Sequence, residues 1–265
     1  YGNITPVNKD RKLPVIIHTY GEQIEGVAYR IRALDDKSLI ENTEVTNYSG
    51  SGSTIEGVLN IKNLIDTGKE YALEIVLKTE KHDEIYYYTR IMYGGEYDLQ
   101  KKIDFALDFN SATFDQSRSK EIAGYLETSS IGDNTNYGKV NINSSISQVN
   151  WGNLDPFVES DIIPEIISIT DDVAIIRLEY RVGAANDYDS NDTYRVSEYY
   201  RIRQTATGFY LLNYEREMNQ VFDAKNDLTS SSKIKLGINS STQALCDSDE
   251  KGIYTYFVNQ GSLWC

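Results

Sequence analysis

The chain has 265 residues, and its 40 acidic side chains outnumber the 26 lysines and arginines to give a formal net charge of −14. Such a charge repels phosphate backbones and anionic lipid surfaces, so the composition argues against nucleic acid and anionic membranes as partners. Hydrophobic residues make up 40% of the chain, which is enough to form cores, and the length suggests two domains, with or without an appendage.

The two chain ends predict a fragment of a larger exported protein. The sequence begins at Tyr1 without an initiator methionine and ends at Cys265 inside an apparent strand. No apolar run is long enough to cross a bilayer, so we predict no membrane insertion. We expect an extracytoplasmic location, at the cell surface or secreted. A disulfide between Cys246 and Cys265 would suit export, and two reduced thiols are the alternative.

The first part of the chain alternates apolar and polar side chains over short segments. Val27, Tyr29 and Ile31 alternate with polar or small residues, and Tyr71 and Leu73 begin a similar segment. A period of two predicts half-buried antiparallel strands. Residues 1–94 therefore resemble an immunoglobulin-like (Ig-like) or fibronectin-like β-sandwich in architecture, without the Cys–Trp–Cys pattern of antibody domains.

The periodicity changes after Gly94-Gly95. Apolar spacing predicts helices over about 98–109 and 117–126, followed by a strand over about 139–149. Asp155-Pro156 predicts a short helix over 154–160, and antiparallel strands are predicted over 162–218. In its element order, the segment 95–222 resembles the NTF2-like (cystatin-like) α+β fold.

Residues 223–265 begin as a polar linker and continue with an acidic turn, an aromatic strand and Leu263-Trp264. This pattern resembles one blade of a truncated β-propeller, and a hairpin packed on the preceding domain is the alternative. The predicted fold class is therefore mainly β with α+β: an antiparallel Ig-like sandwich, an NTF2-like domain of helices and a curved sheet, and a C-terminal hairpin. The whole order resembles uncharacterised surface proteins of Gram-positive bacteria.

Sequence motifs for catalysis are absent. The chain has no metalloprotease, nucleophile-elbow, P-loop or dinucleotide-binding motif. Its two histidines, His18 and His82, stand without recognisable partners. We therefore predict a non-catalytic protein without a cofactor. A glycan-acting hydrolase is the enzyme alternative, although no carboxylate pair is distinguished by its context.

One acidic loop suggests weak Ca²⁺ binding. Asp187, Asp189 and Asn191, with Glu198 further along, follow the ligand spacing of an EF-hand loop. However, Asp192 stands where that loop needs glycine, and strands flank the segment. A hairpin turn rich in Asp and Asn is therefore the expected structure, with Ca²⁺ binding as the alternative.

Glu198 and Arg216 are the candidate ligand-binding residues, because each interrupts an otherwise apolar strand face. On a curved sheet the two side chains would face the interior and pair, since an unpaired buried charge is costly. A polar spot in an apolar cavity is typical of a small-ligand site. The alternative is that the strand face becomes solvated there or that a bulge shifts the register.

Tyr87, Tyr199 and Arg201 are the candidate interaction residues. Each lies in a predicted strand where tyrosines occupy both faces, so one ring of each group points outward. A cross-strand ladder of Tyr, Arg and Glu is the alternative. Together these features predict a scaffold or interaction region of a bacterial surface protein, with a protein partner or a cell-wall component. A ligand-binding or sensory module is the second hypothesis.

Overall fold

The computed structural model describes residues 3–51, 53–94, 97–185, 191–223, 229–230, 233–234, 246–259 and 262–265. Strands account for 52% of the structure and helices for 12%, which confirms the mainly β class. The chain forms two compact units. Unit 1 comprises Tyr1–Lys102 and Glu165–Ile175, and unit 2 comprises Ile103–Pro164 and Ile176–Cys265.

Unit 1 is built from two sheets. Its strands are β1 (Ile4–Val7), β2 (Lys12–His18), β3 (Ile24–Ala33), β4 (Leu39–Glu44), β5 (Tyr48–Ser51), β6 (Thr54–Asn60), β7 (Glu70–Thr79) and β8 (Ile85–Tyr93). One sheet has the order β1-β8-β7-β3-β4 and the other the order β2-β6-β5. The pairing of β1 with β8 is parallel, and the other strand pairs of these two sheets are antiparallel.

The core of unit 1 lies between these two sheets. Leu13 and Leu59 of one sheet share a hydrophobic cluster with Tyr29, Leu73 and Ile91 of the other. Burial alternates along β3, as the period of two predicts, because successive side chains point to opposite faces of a strand. The apolar residues that alternate in the sequence of β3 therefore form part of the inner surface between the two sheets.

Several polar side chains are buried in unit 1, and Tyr29 and Lys102 show how such groups are satisfied. The Tyr29 hydroxyl lies 2.5 Å from both Glu41 Oε1 and the Asn60 carbonyl oxygen, and burial, with the Glu41 bond, raises the pKa of Tyr29. Lys102, in the first turn of α1 (Leu99–Thr113), donates to the carbonyl oxygens of Tyr97, Thr170 and Asp171 at 2.7, 3.1 and 2.6 Å. Burial lowers the pKa of Lys102, and nearby carboxylates oppose that effect.

Unit 2 combines the rest of α1 with a long antiparallel sheet. Its further elements are a 3₁₀ turn (Gln116–Arg118), α2 (Ser119–Ala123), β9 (Lys139–Asn141), α3 (Ile146–Val149), β10 (Phe157–Val158), β12 (Val173–Ala185), β13 (Asn191–Thr205) and β14 (Gly208–Gln220). The sheet has the order β10-β12-β13-β14-β9. Most of β11 (Ile163–Ile169) and the first residues of β12 belong to unit 1, where they form a hairpin in which Thr170 N donates to Val173 O at 2.7 Å.

Two local predictions in this region are wrong. The helix predicted over 154–160 is absent, and β10 occupies part of that segment. Asp155 has a φ of +46°, so the residue expected to start the helix adopts a left-handed conformation. The structure places helix α3 instead within the strand predicted over 139–149. Ser145 caps α3, because its side chain accepts from Gln148 N.

The C-terminal segment forms small sheets. Its strands are β15 (Thr229–Ser230), β16 (Lys233–Ile234), β17 (Cys246–Ser248), β18 (Thr255–Asn259) and β19 (Ser262–Trp264). β17, β18 and β19 form one antiparallel sheet. The Phe222 ring contacts the rings of Phe257 and Trp264, with centroid distances of 5.1 and 4.7 Å. Cys246 and Cys265 are free and exposed.

Candidate functional site

The buried polar cluster of unit 2 begins with the register of β13 and β14. Glu198 lies directly opposite Arg216, and Tyr200 lies opposite Tyr214. The register of this pair of strands shifts between Arg201 and Ile202, beyond Glu198. Both charged side chains are fully buried. Alternation along each strand therefore places a carboxylate and a guanidinium side by side on the interior face.

Glu198 is held by neutral donors. Its Oε2 accepts from Asn110 Nδ2 at 2.7 Å and from the Tyr200 hydroxyl at 2.6 Å, and its Oε1 accepts from the Tyr214 hydroxyl at 3.0 Å. Asn110 Nδ2 also donates to the Tyr180 hydroxyl at 2.9 Å. Hydrogen bonds to an ionised acceptor are stronger than neutral ones. This carboxylate is therefore solvated by protein groups in place of water.

Arg216 is held by backbone carbonyls and an indole ring. Its two terminal nitrogens donate to Val149 O at 2.9 Å and to Gln148 O at 2.8 Å. The guanidinium carbon lies 3.4 Å from the centroid of the Trp151 ring, a cation–π contact. The carbonyls lie at the end of α3, where a positive charge is favourable. Among the described residues, the Nε atom of Arg216 is buried and has no hydrogen-bond partner.

The two charges act on the same tyrosines. Burial raises the pKa of Tyr214 well above its ordinary value; the charge of Arg216 lowers it and that of Glu198 raises it. Burial likewise raises the pKa of Tyr180 and Tyr200, and the charge of Glu198 adds to both shifts. These phenols stay protonated at neutral pH and act as hydrogen-bond donors or acceptors without carrying charge.

Aromatic rings fill the space around the cluster. The Phe109 ring packs against the rings of Tyr200 and Tyr214 at centroid distances of 5.8 and 5.2 Å, and Trp151 Nε1 donates to Thr113 Oγ1 at 3.2 Å. Glu198 and Arg216 have no exposed surface and lie in a filled interior. The predicted direct pairing is not seen, because each charge is bonded to other protein groups. Their geometry suits structural support of the sheet, because a ligand could reach them only if these rings moved.

The sequence analysis did not identify three buried residues that hold these interiors together: Asn110 and Trp151 in unit 2, and Lys102 in unit 1. Asn110 occupies a helical position between buried Ala106 and buried Thr113, and that spacing was an available signal of a buried polar side chain. Trp151 has a φ of +63° and follows a short helix, and no local pattern announces its contact with Arg216. That contact depends on residues far apart in the chain.

The candidate Ca²⁺ ligands lie mostly beyond what the structure covers. Asp187 and Asp189 are outside the described residues, and Asn191 is exposed at the start of β13. Within the described ranges, no group of three or more His, Cys, Asp or Glu side chains could hold a metal ion. Within the same ranges, no helix has the length and apolarity needed to span a membrane.

The opposite face of the same sheet carries the candidate interaction residues. Arg195, Arg201 and Arg203 are exposed and Tyr199 is half-buried, with Glu215 opposite Tyr199 in the register. We call these four residues of β13 the arginine-rich face. Arg195 forms an ion pair with Glu179 at 2.6 Å, so part of the predicted cross-strand ladder is present.

A cavity of about 500 Å³ lies beside this face. Its lining includes Arg195, Glu179, Asp161, Phe222 and Trp264. It therefore combines charged groups with two aromatic rings, as ligand sites do. In unit 1, Tyr87 is exposed and lines a separate cavity.

No protein-family model matches this chain, and no curated protein matches it either.

Proposed function

We propose that this chain is a non-catalytic, extracytoplasmic scaffold or protein-interaction region of a larger bacterial cell-surface protein. The observation that carries the proposal is the closed interior of unit 2. Glu198 and Arg216 are the most polar groups of that interior, and their side chains bond to protein atoms and are fully buried. An interior built in this way stabilises a fold and offers no access to a substrate.

The arrangement of the strands supports a modular architecture. An Ig-like identity for unit 1 fits its two facing sheets, with the first strand parallel to the last. An NTF2-like identity for the α+β region fits helices followed by a sheet in which β9 pairs with β14. A propeller-blade identity for the C-terminal segment fits the antiparallel order β17-β18-β19. Modules of this kind commonly serve as spacers and docking domains.

The arginine-rich face is the proposed contact surface of unit 2. The chain carries a net charge of −14, yet β13 exposes three arginines on one face together with Tyr199. Arg and Tyr are enriched in protein interfaces, because both combine contact area with hydrogen bonding. The face therefore suits an acidic protein surface or an anionic component of the cell wall.

The test is cosedimentation of the purified chain with isolated Gram-positive cell envelopes. We expect the wild-type chain to sediment with them and Arg201→Glu to sediment less, because the substitution reverses a charge on the proposed surface. Lys120→Glu is the matched control, since it makes the same charge change on exposed α2. Equal sedimentation of the two variants would contradict the proposed surface. A small molecule whose stabilisation is lost in Glu198→Gln would contradict the closed-interior argument.

Small-ligand binding is a second candidate, favoured by the cavity of about 500 Å³ beside Arg195 and Trp264. A ligand that binds only the folded state raises the melting temperature. A screen of cell-wall sugars and small metabolites should then give a shift that Arg195→Ala abolishes and Arg203→Ala retains. A screen without any shift would leave the scaffold proposal alone.

A further inference from the structure

Among the described residues, one edge of the smaller sheet of unit 1 has no neighbouring strand. β2 is the terminal strand of the order β2-β6-β5. Thr19 N donates to Ser53 O and Ile61 N donates to Arg11 O, both at 2.9 Å. In an antiparallel pair, hydrogen-bonded positions alternate with positions whose backbone groups point away. Since positions 11 and 19 face β6, the backbone groups of positions 12, 14, 16 and 18 face outward.

This open edge offers backbone partners over a short stretch. In the part of the chain that the structure describes, no hydrogen bond is made to the backbone N–H of Ile16 or His18. Pro14 has no N–H to offer, and proline at such an edge position blocks pairing there. The edge can therefore accept a strand along Ile16–His18, while Pro14 limits its extension.

An apolar groove lies beside the same stretch. A cavity of about 350 Å³ is lined by Val15, Ile17, Tyr20, Leu77 and Tyr87, among others. Tyr20 is 88% exposed and Tyr87 is 54% exposed. Two large aromatic rings beside this groove are therefore largely accessible to solvent. Because Tyr87 pairs with Ile75 in the register, its ring lies on the inner face of its sheet and remains uncovered.

The open edge and the groove define one kind of occupant. A strand paired with Ile16–His18 would point alternate side chains into the groove and the others outward beside Ile16. Glu56 lies opposite Ile16 in the register and is exposed, so a cationic side chain is favoured on the outward side. The net charge of −14 on the chain also favours a positively charged peptide.

We propose that β2 and this groove form a docking site for an extended peptide segment of another polypeptide, added as an edge strand, with apolar side chains toward the groove and Lys or Arg on its other face. Main-chain hydrogen bonds provide affinity in this mode of binding, and alternate side-chain pockets provide specificity. The site lies wholly in unit 1 and does not depend on the arginine-rich face of unit 2.

The probe is a fluorescently labelled peptide of alternating Lys and Val, and its control has the same composition with the valines in one block. Fluorescence anisotropy should show binding of the alternating peptide about tenfold tighter than that of the block peptide, since only the former presents one apolar face. Amide hydrogen exchange of Ile16 and His18 should slow when the alternating peptide binds.

Two pairs of variants locate the site. Ile16→Pro removes an outward N–H without touching the ladder to β6, and should weaken binding about tenfold, whereas Ile16→Val should leave it unchanged. Tyr87→Ser should weaken binding, and Tyr88→Ser is the control, because Tyr88 is 53% exposed but lies on the opposite face of β8. This second pair does not require proline to be tolerated.

Three results would overturn the proposal. The first is equal affinity for the alternating and block peptides, or no binding of either up to millimolar concentration. The second is wild-type binding by both Ile16→Pro and Tyr87→Ser. The third is a dimer of the wild-type chain, measured by sedimentation equilibrium, that Ile16→Pro dissociates. In that case a second copy of the chain occupies the edge.

Discussion

Replacing Arg216 with methionine removes one charge from the interior of unit 2 while keeping a long side chain. The variant loses the bonds to Gln148 O and Val149 O and the contact with the Trp151 ring. It also leaves the buried carboxylate of Glu198 without the opposite charge in its cross-strand position. Removing one charge from a buried polar network costs about 3–5 kcal/mol, because the groups that it served are left uncompensated.

The assay is urea denaturation followed by tryptophan fluorescence, together with a thermal melt. A loss of this size should lower the melting temperature of a unit this large by about 10 °C. Arg203→Met is the matched control: the same side chain is removed from an exposed position on β13, where substitutions are usually neutral. A loss for Arg216→Met no larger than that of the control would refute the reasoning.

A double variant separates the charge from the packing. Glu198→Gln keeps the shape of the side chain and removes its charge, so the combined Glu198→Gln and Arg216→Met variant should be less destabilised than the sum of the two single variants. Residues in one network commonly couple by about 0.5–3 kcal/mol. Strict additivity would show that the two charges, although adjacent in register, do not stabilise each other.

Three further predictions concern other buried positions. Lys102→Met should destabilise unit 1 by about 3 kcal/mol in denaturant unfolding, because three carbonyl oxygens lose their donor. Gly152→Ala should cost about 2 kcal/mol more than Gly252→Ala, since both glycines have positive φ but only at Gly152 would an added Cβ clash with the Tyr137 hydroxyl; equal losses would contradict the clash. Finally, the pKa of Tyr200 is raised by burial, so the folded state keeps a proton that the unfolded state loses above about pH 10. Stability from this phenol is fully present below that pH and should fall above it by about 1.4 kcal/mol per pH unit; an alkaline titration of phenolate absorbance checks this, and Tyr200→Phe should flatten the decline.

The elements predicted best were those with a strict local period. β3 alternates so regularly that its inner face, including Tyr29, follows directly from the sequence. In β7 the face that carries Tyr71 and Leu73 was identified, although residues on both faces of that strand are buried. The same argument identified Glu198 and Arg216 as unusual, because a charge in an apolar alternation must either be buried with partners or mark a break.

The elements predicted worst depended on capping and distant contacts. Asp155-Pro156 carries a strong local helix signal, yet the chain adopts a left-handed conformation at Asp155. The helix forms earlier, where Ser145 supplies the cap. The role of Trp151 could not be inferred, because its partner Arg216 lies on a strand far along the chain. Local propensity cannot encode which of two neighbouring turns the tertiary structure will stabilise.

Pro14 has a further consequence for how the chain behaves at high concentration. A long regular strand edge templates the stacking of further copies, and repeated stacking produces cross-β fibrils. On β2 the missing N–H of Pro14 interrupts that template next to Ile16, which exposes an apolar side chain at the same edge. Replacing Pro14 with valine would restore a continuous edge, and the chain should then form fibrils under agitation where the wild type stays in solution.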